Sequence, residues 1–511
     1  MNLCKLTDDN LEFLSGKKVY CYEYSSSYMD ELAHKFAIAD SIEAVIDDNA
    51  RNQGEHRFGE KKIAVYGSGS LSEIPLDTAV FLITSDYFRE AFDVLSGALE
   101  ERGYGEDIYY FENYETEVEM AYRDRYENTG LENVIVFRSG PHASAYVAGM
   151  DFSDNARALF EFMLNKRYNN KYKLVWFVKH PQDFSAYQAV PNVEFLSFDW
   201  ALSEEEEERE RYYRALCLAK YLFFTDAYGF ARNCRSDQVR VQLWHGCGFK
   251  TRVNFIRCEK RYEYTTVVSE IYSRIHQDIY GLREDQVLIT GYAKEDWLFS
   301  PVADFVERLS LPAGRKYIFW LPTFRMAREG LDSLNEYELG GQTGLPIVDT
   351  IDKCRALNDL LHEEQAVLLV KLHPFQDRLK IADLKMENIV LLDNQELVGK
   401  DIQINQLLGC ADAMISDYSS AAVDYMILDR PLAFTLDDVE EYGSSRGFVF
   451  DNIRDWLPGV ELYNFDDFCR FVRETAAGLD LSGEKRRALL RKMHRYGDNR
   501  NCERIAEALG I

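Results

Sequence analysis

The sequence predicts an α/β protein in which two doubly wound units face each other across a cleft, preceded by a smaller α/β unit. Three observations predict it. At 511 residues the chain is too long for one core, so two or three domains are expected. Short apolar runs alternate with helical patterns, which argues for parallel sheets with helical crossovers. The apolar runs of the second and third units end in polar residues: His245, Thr323, His373 and Ser419 each follow a predicted strand. Ligands of such sheets sit beyond the carboxyl ends of the strands, so this shared placement points to one site.

The first unit spans 1–125. Strands are expected at Lys18–Tyr22, Ile42–Ile46 and Val80–Ile83, with helices at Tyr28–Ala37 and Tyr87–Arg102. The turn after its first strand reads Glu23-Tyr24-Ser25-Ser26-Ser27, without the glycines of a dinucleotide cradle. Gly67-Ser68-Gly69-Ser70 follows a strand but lacks a third glycine and a long helix, so packing or assembly is the plainer reading. A charged helical stretch around 116–130 links to the second unit.

The second unit spans 131–300. Asn133–Phe137, Leu174–Val178, Tyr221–Thr225 and Val239–Leu243 read as strands. Ser153 or Asp154 is placed to cap a helix whose Ala156, Leu159, Phe160 and Met163 share one face. Glu204–Glu208 suit the first turn of a helix carrying Tyr212–Ala219, where acidic residues complement the dipole. The third unit spans 301–511, with strands at Tyr317–Leu321, Val367–Leu372, Ile389–Leu392, Ala413–Ile415 and around Phe434. Residues 327–349 lack periodicity and read as a mobile loop.

The net charge of -27 argues against a nucleic-acid surface or a polybasic membrane anchor. The 10 cysteines are scattered, with no CxxC pair, as in a cytosolic chain without a disulfide frame or zinc site. No apolar run approaches the ~18 residues of a membrane span, and the first residues lack a signal-peptide pattern. No metal site is expected.

Four motifs carry chemistry. In Ser416-Asp417-Tyr418-Ser419-Ser420 a strand ends in hydroxyl residues just before an apolar helical pattern, as in a phosphate cradle of backbone N–H groups. Asp417 suits a turn or supporting role. Gln242-Leu243-Trp244-His245-Gly246 places an imidazole beside a glycine that permits close backbone approach. His245 is either a base near neutral pH or a buried histidine bonded to backbone. Lys371-Leu372-His373-Pro374 offers cations to a leaving phosphate, although Lys371 can equally alternate to solvent. Leu321-Pro322-Thr323-Phe324-Arg325 offers a hydroxyl and a guanidinium fork, or a plain turn. Among Asp438, Glu441 and Arg446, one carboxylate suits ribose hydroxyls. Lys250, Arg252, Arg257, Lys260 and Arg261 form a local basic segment, either an acceptor contact or a solvated face.

Taken in order, these motifs resemble the CDP-glycerol glycerophosphotransferases of teichoic-acid and capsule synthesis. The similarity covers roughly 131–505 and includes Ser153-Asp154-Asn155, Gly291-Tyr292-Ala293-Lys294-Glu295-Asp296 and the run from Glu440 to Asp451. The family usually has Thr-Pro-Leu-Lys where this chain has Cys247-Gly248-Phe249-Lys250, and Pro-Arg-Asn-Asp where it has Ala293-Lys294-Glu295-Asp296. The resemblance implies a GT-B fold of two Rossmann-type domains, behind a Rossmann-like accessory unit whose role the family leaves open. It implies a CDP-glycerol or CDP-ribitol donor, release of CMP, and a lipid-linked or polymeric polyol-phosphate acceptor. It also implies a place at the inner face of the cell membrane. His245 would activate the acceptor hydroxyl, with Gly246, Lys250 and Arg252 on the acceptor side. His373 would stabilise the leaving CMP. Thr323, Arg325, Lys371, Ser419, Ser420, Asp438, Glu441 and Arg446 would hold the donor. No cofactor is called for. A nucleotide-sugar glycosyltransferase of the same fold and a non-catalytic assembly subunit are the competing readings.

Overall fold

A computed structural model of the chain describes residues 1–511 except 9, 12–15, 37, 49–51, 59–60, 141–148, 226–229, 231, 233, 252–257, 259–260, 323–340, 372–385, 393 and 446. Its strands form three sheets. The first runs, in spatial order, Leu3–Lys5, Ile108–Tyr110, Ala79–Ile83, Lys18–Tyr22, Ile42–Ile46, Lys61–Tyr66, Gly54–Phe58. All pairings are parallel except the hairpin of the last two. The second runs Val193–Ser197, Lys173–Val178, Glu132–Ser139, Ala219–Thr225, Val239–Gln242, Tyr264–Val267, Val287–Ile289. The third runs Ile389–Leu392, Ala366–Lys371, Lys316–Trp320, Ala413–Ser416, Leu432–Thr435, Val460–Leu462.

Each sheet winds outward in one direction and then returns to wind in the other. The strand order therefore reverses between Lys18–Tyr22 and Ala79–Ile83, between Glu132–Ser139 and Ala219–Thr225, and between Lys316–Trp320 and Ala413–Ser416. A crevice opens at each reversal, outside the carboxyl ends of the strands. The second and third sheets make the GT-B-like pair. Central runs of all three sheets are apolar because helices cover both faces: every residue of 79–83, 174–178 and 366–370 is buried.

The second and third sheets share a core across the cleft. Phe249 packs edge-on to Phe434 at 6.0 Å and Tyr272 to Phe450 at 6.2 Å. The last helix, Asn501–Leu509, follows the third sheet in sequence but packs in the core of the second, where Cys502 and Ile505 are buried. The Asp296 carboxylate accepts from the N–H groups of Asn501 and Cys502, both at 2.9 Å. The chain thus crosses between the halves twice, at adjacent places.

Two expectations need correction. The tail of the expected mobile loop is core: Leu345, Ile347 and Val348 pack under the third sheet. Nor does Ser153 or Asp154 cap its helix. Asp154 lies in the left-handed region at φ 58, and its Oδ1 accepts from the adjacent Asn155 N–H at 2.7 Å, not from a residue further along the first turn. Ser153 instead donates to the Met150 carbonyl, and Thr225 Oγ1 takes the Ala156 N–H. Among the described residues no helix is long and apolar enough to cross a membrane, and no group of three or more His, Cys, Asp or Glu side chains could hold a metal.

Candidate functional site

Strand Val239–Gln242 delivers a tight turn at the carboxyl edge of the second sheet. Trp244 adopts φ 57, a conformation that costs about 1–2 kcal/mol for a bulky residue. Three bonds hold it there. Asn155 Nδ2 donates to the carbonyls of Leu243 at 3.2 Å and Trp244 at 2.8 Å, and the Trp244 N–H donates to Gln242 Oε1 at 3.1 Å. The Trp244 ring is buried against Tyr280 at 4.7 Å, while the next residue, His245, is exposed and stacks on its outer face at 5.0 Å. The turn therefore anchors one ring and presents the other.

Strand Ala413–Ser416 delivers the facing element. It borders the strand-order reversal of the third sheet, and its chain continues through Asp417, Tyr418, Ser419 and Ser420 into helix Ala421–Tyr425. Ser419 Oγ accepts from the Ala421 N–H at 3.3 Å. Asp417 is buried, and its Oδ1 accepts from the Tyr418 N–H at 2.6 Å, the turn role expected of it. The two elements touch. A Cβ on Gly246, which has φ 148, would stand 2.6 Å from Ser420 Oγ and 2.9 Å from Ser420 Cβ. A Cβ on Gly248 would stand 3.3 Å from Ser420 Cβ. Beyond that contact the two halves pair as backbone. Lys250 bridges Phe448, the Val449 N–H donates to the Phe249 carbonyl at 2.9 Å, and the Thr251 N–H to Gly447 at 3.2 Å.

A buried ion cluster lies beneath the contact. Lys294 Nζ stands 3.4 Å from Asp424 Oδ2 and 3.6 Å from Asp154 Oδ1, and donates to the His245 carbonyl. Burial alone would lower the Lys294 ammonium, but the Asp154 and Asp424 carboxylates outweigh it and hold it above its ordinary value. Burial raises the Asp154 carboxyl, opposed by Lys294 and His245. Asn155 Oδ1 also accepts from the Lys294 N–H at 3.0 Å. Glu295 is fully buried, and burial first and then Asp424 push its carboxyl well up. His276 lies behind Trp244 and is pushed down to about 3, by burial first and then by His245.

The structure thus brings His245, Gly246, Lys250, Ser419 and Ser420 to one seam. Asp438 joins them through Tyr418, whose hydroxyl donates to Asp438 Oδ1 at 3.0 Å and whose ring stacks on Tyr442 at 4.2 Å. Lys371 ends strand Ala366–Lys371, half-buried, at the same edge of the third sheet. Glu441 is exposed on helix Val439–Ser445. Thr323, Arg325, His373, Arg446 and Arg252 lie outside the described residues, as do Arg257 and Lys260.

Two details differ from expectation. The space above Gly246 is filled by the Ser420 side chain, so the close approach it permits is between the two halves. Arg261 does not serve the His245 seam; its guanidinium lies 3.8 Å over the Tyr87 ring of the first unit. Sequence reasoning gave Asp154 only a helix cap and assigned no role to Asn155, Lys294 or Asp424. The available signal was Lys294 itself, a cation set among the apolar residues of Tyr292 to Phe299.

A family model described as CDP-Glycerol:Poly(glycerophosphate) glycerophosphotransferase matches residues 132–510. The teichoic acid ribitol-phosphate polymerase TarL of Staphylococcus aureus (strain NCTC 8325 / PS 47) is 26% identical over 312 residues, 57% of this chain and 51% of the relative. The teichoic acid glycerol-phosphate primase of Bacillus subtilis (strain 168) is 26% identical over 353 residues, 63% of this chain and 82% of the relative. The chain spans about half the length of three staphylococcal polymerases it matches, 51%, 56% and 42%. In fold it is similar to the wall teichoic acid polymerase TagF, with a TM-score of 0.58 at 19% identity, covering 83% of this chain and 97% of that one.

Proposed function

This chain belongs to the CDP-glycerol:poly(glycerophosphate) glycerophosphotransferase family, and on that premise we propose that it moves a polyol phosphate from a CDP-linked donor to an acceptor hydroxyl and releases CMP. The observation that carries the reading is the seam itself. His245 is exposed at the end of one sheet, and its neighbour Gly246 touches Ser420 of the hydroxyl-lined turn at the strand-order reversal of the other. His245 takes the proton of the acceptor hydroxyl. The acceptor oxygen bonds to the phosphorus that carries the polyol, and the bond from that phosphorus to the bridging oxygen breaks, leaving with CMP. Phosphoryl transfer gains most from positioning and charge neutralisation. Ser419 and Ser420 supply hydroxyls to the donor phosphates, together with Thr323, Arg325, Lys371 and His373. Asp438, Glu441 and Arg446 hold the rest of the donor. Lys250 and Arg252 flank the acceptor path.

The Lys294 cluster supports His245 from below. Its cation fixes the His245 carbonyl, and with it the turn that presents the ring. The donor is CDP-glycerol or CDP-ribitol, the acceptor a lipid-linked or polymeric polyol phosphate at the inner membrane face, and no cofactor is needed. His245→Ala should lower CMP release from CDP-glycerol or CDP-ribitol by about 10²–10⁴-fold, with melting unchanged because the ring is exposed. Near wild-type CMP release by that variant, or UDP release from UDP-sugars in its place, would reject the proposal.

A further inference from the structure

The first unit carries its own crevice. It lies outside the family match, at the reversal between Lys18–Tyr22 and Ala79–Ile83, and encloses a cavity of about 480 Å³. That is the position and size of a small-molecule site in an open α/β sheet. Its lining decides the ligand's chemistry.

Three backbone donors beside the crevice are engaged. The Glu23 N–H donates to the Ile46 carbonyl at 2.8 Å and the Tyr24 N–H to Asp47 Oδ2 at 2.8 Å. The Ser68 N–H, at the start of the glycine-serine turn, donates to Asp48 Oδ1 at 2.7 Å. Asp47 thus sits as a fixed anion where a pyrophosphate would need to be. Glu23, at φ 64, occupies the turn position where a dinucleotide cradle has glycine. Charge points the same way. Among the described residues, Glu23, Asp47, Asp48, Asp86 and Glu90 line the crevice against one guanidinium, Arg261. Asp86 is consumed by Tyr28, Thr116 and Arg232. Burial raises the Glu23 carboxyl, with Asp47 and Glu90 adding to it and Ser85 and Arg261 opposing. Tyr24 offers a half-buried ring, tilted against His56 at 4.6 Å. Arg261 reaches in from the second unit, so the crevice is complete only in the full chain.

We propose that this crevice is a second ligand site, for a small uncharged or cationic ring compound with adjacent hydroxyl groups, and that it excludes phosphorylated ligands. Carboxylates accept the hydroxyls and the tyrosine face carries the ring. A nucleoside and an amino sugar both have this chemistry. The test uses matched pairs differing by one phosphate, adenosine with AMP and glucosamine with glucosamine 6-phosphate, each at millimolar concentration with the full chain. Hydrogen exchange is read in segments 22–28 and 84–91. The unphosphorylated member of at least one pair should protect both segments, its phosphorylated partner should not, and Asp48→Asn should weaken the effect about tenfold. The asparagine still accepts the Ser68 N–H, and unchanged melting checks that; if melting drops, Glu90→Gln replaces it. Equal protection by the phosphorylated partner overturns the proposal. So does protection by neither member of either pair, or protection that survives the substitution. CMP release assayed alongside separates this outcome from the fate of the transferase reading.

Discussion

Replacing Gly246 by alanine tests the seam directly. The added Cβ would stand 2.9 Å from Ser420 Cβ and 2.6 Å from Ser420 Oγ. Two carbons prefer about 3.5–4.0 Å, so the new atom sits roughly 0.6–1.1 Å too close. Rotating the Ser420 hydroxyl relieves the contact with oxygen and leaves the contact with carbon. The backbone gives no relief either, since φ 148 is strained for any residue with a Cβ. The turn or the serine element must therefore shift by about 1 Å. A displacement of that size at a reacting centre lowers turnover by about 10²-fold, or about 2.7 kcal/mol of barrier. The same substitution at Gly248 meets Ser420 Cβ at 3.3 Å, so it should cost much less. Steady-state CMP release is the assay, with melting measured on both variants. Equal activity of Gly246→Ala and Gly248→Ala would show that the two halves do not meet as described.

Three further outcomes are expected. Lys294→Met leaves the buried Asp424 carboxylate and the half-buried Asp154 carboxylate without their cation, which should destabilise the fold by about 3–5 kcal/mol; denaturant unfolding at the wild-type midpoint would contradict this. His276 is neutral in the folded chain, at about 3, but titrates near 6.5 once unfolded, so the unfolded chain binds the proton between those values. Relative to His276→Gln, wild type should then lose about 1.4 kcal/mol of stability per pH unit as the pH falls below 6; a difference independent of pH would refute it. Asn155→Ala should strip the donors from the Leu243 and Trp244 carbonyls and cost about 1–3 kcal/mol. It should also slow CMP release, and activity unchanged despite lower melting would show that the turn holds itself.

Much of this arrangement could be read from the chain alone, for a physical reason. Strands such as Ala79–Ile83, Lys173–Val178 and Ala366–Lys371 are covered on both faces, so they stand out as unbroken apolar runs. His245 and Ser419 stand out because polarity begins abruptly where such a run ends. The strands Ile108–Tyr110, Val193–Ser197, Tyr264–Val267, Val287–Ile289 and Val460–Leu462 were not legible. They have only three to five residues, and neighbours distant in sequence fix them as strands. The ion cluster was hidden for a related reason. A lone Lys294 or Asp424 looks like surface until folding sets one against the other, 130 positions away. The cap expected of Asp154 failed because its carboxylate takes the N–H of the next residue, Asn155, and faces Lys294.

The double passage of the chain between the second and third sheets sets how the cleft can move. One crossing runs through Asp296 and the other reaches Asn501, and the two are tied by hydrogen bonds. Paired tethers behave as the knuckles of a door. They permit swinging about one axis and resist sliding along it. The covalent chain itself therefore helps to keep the imidazole element and the serine element in register.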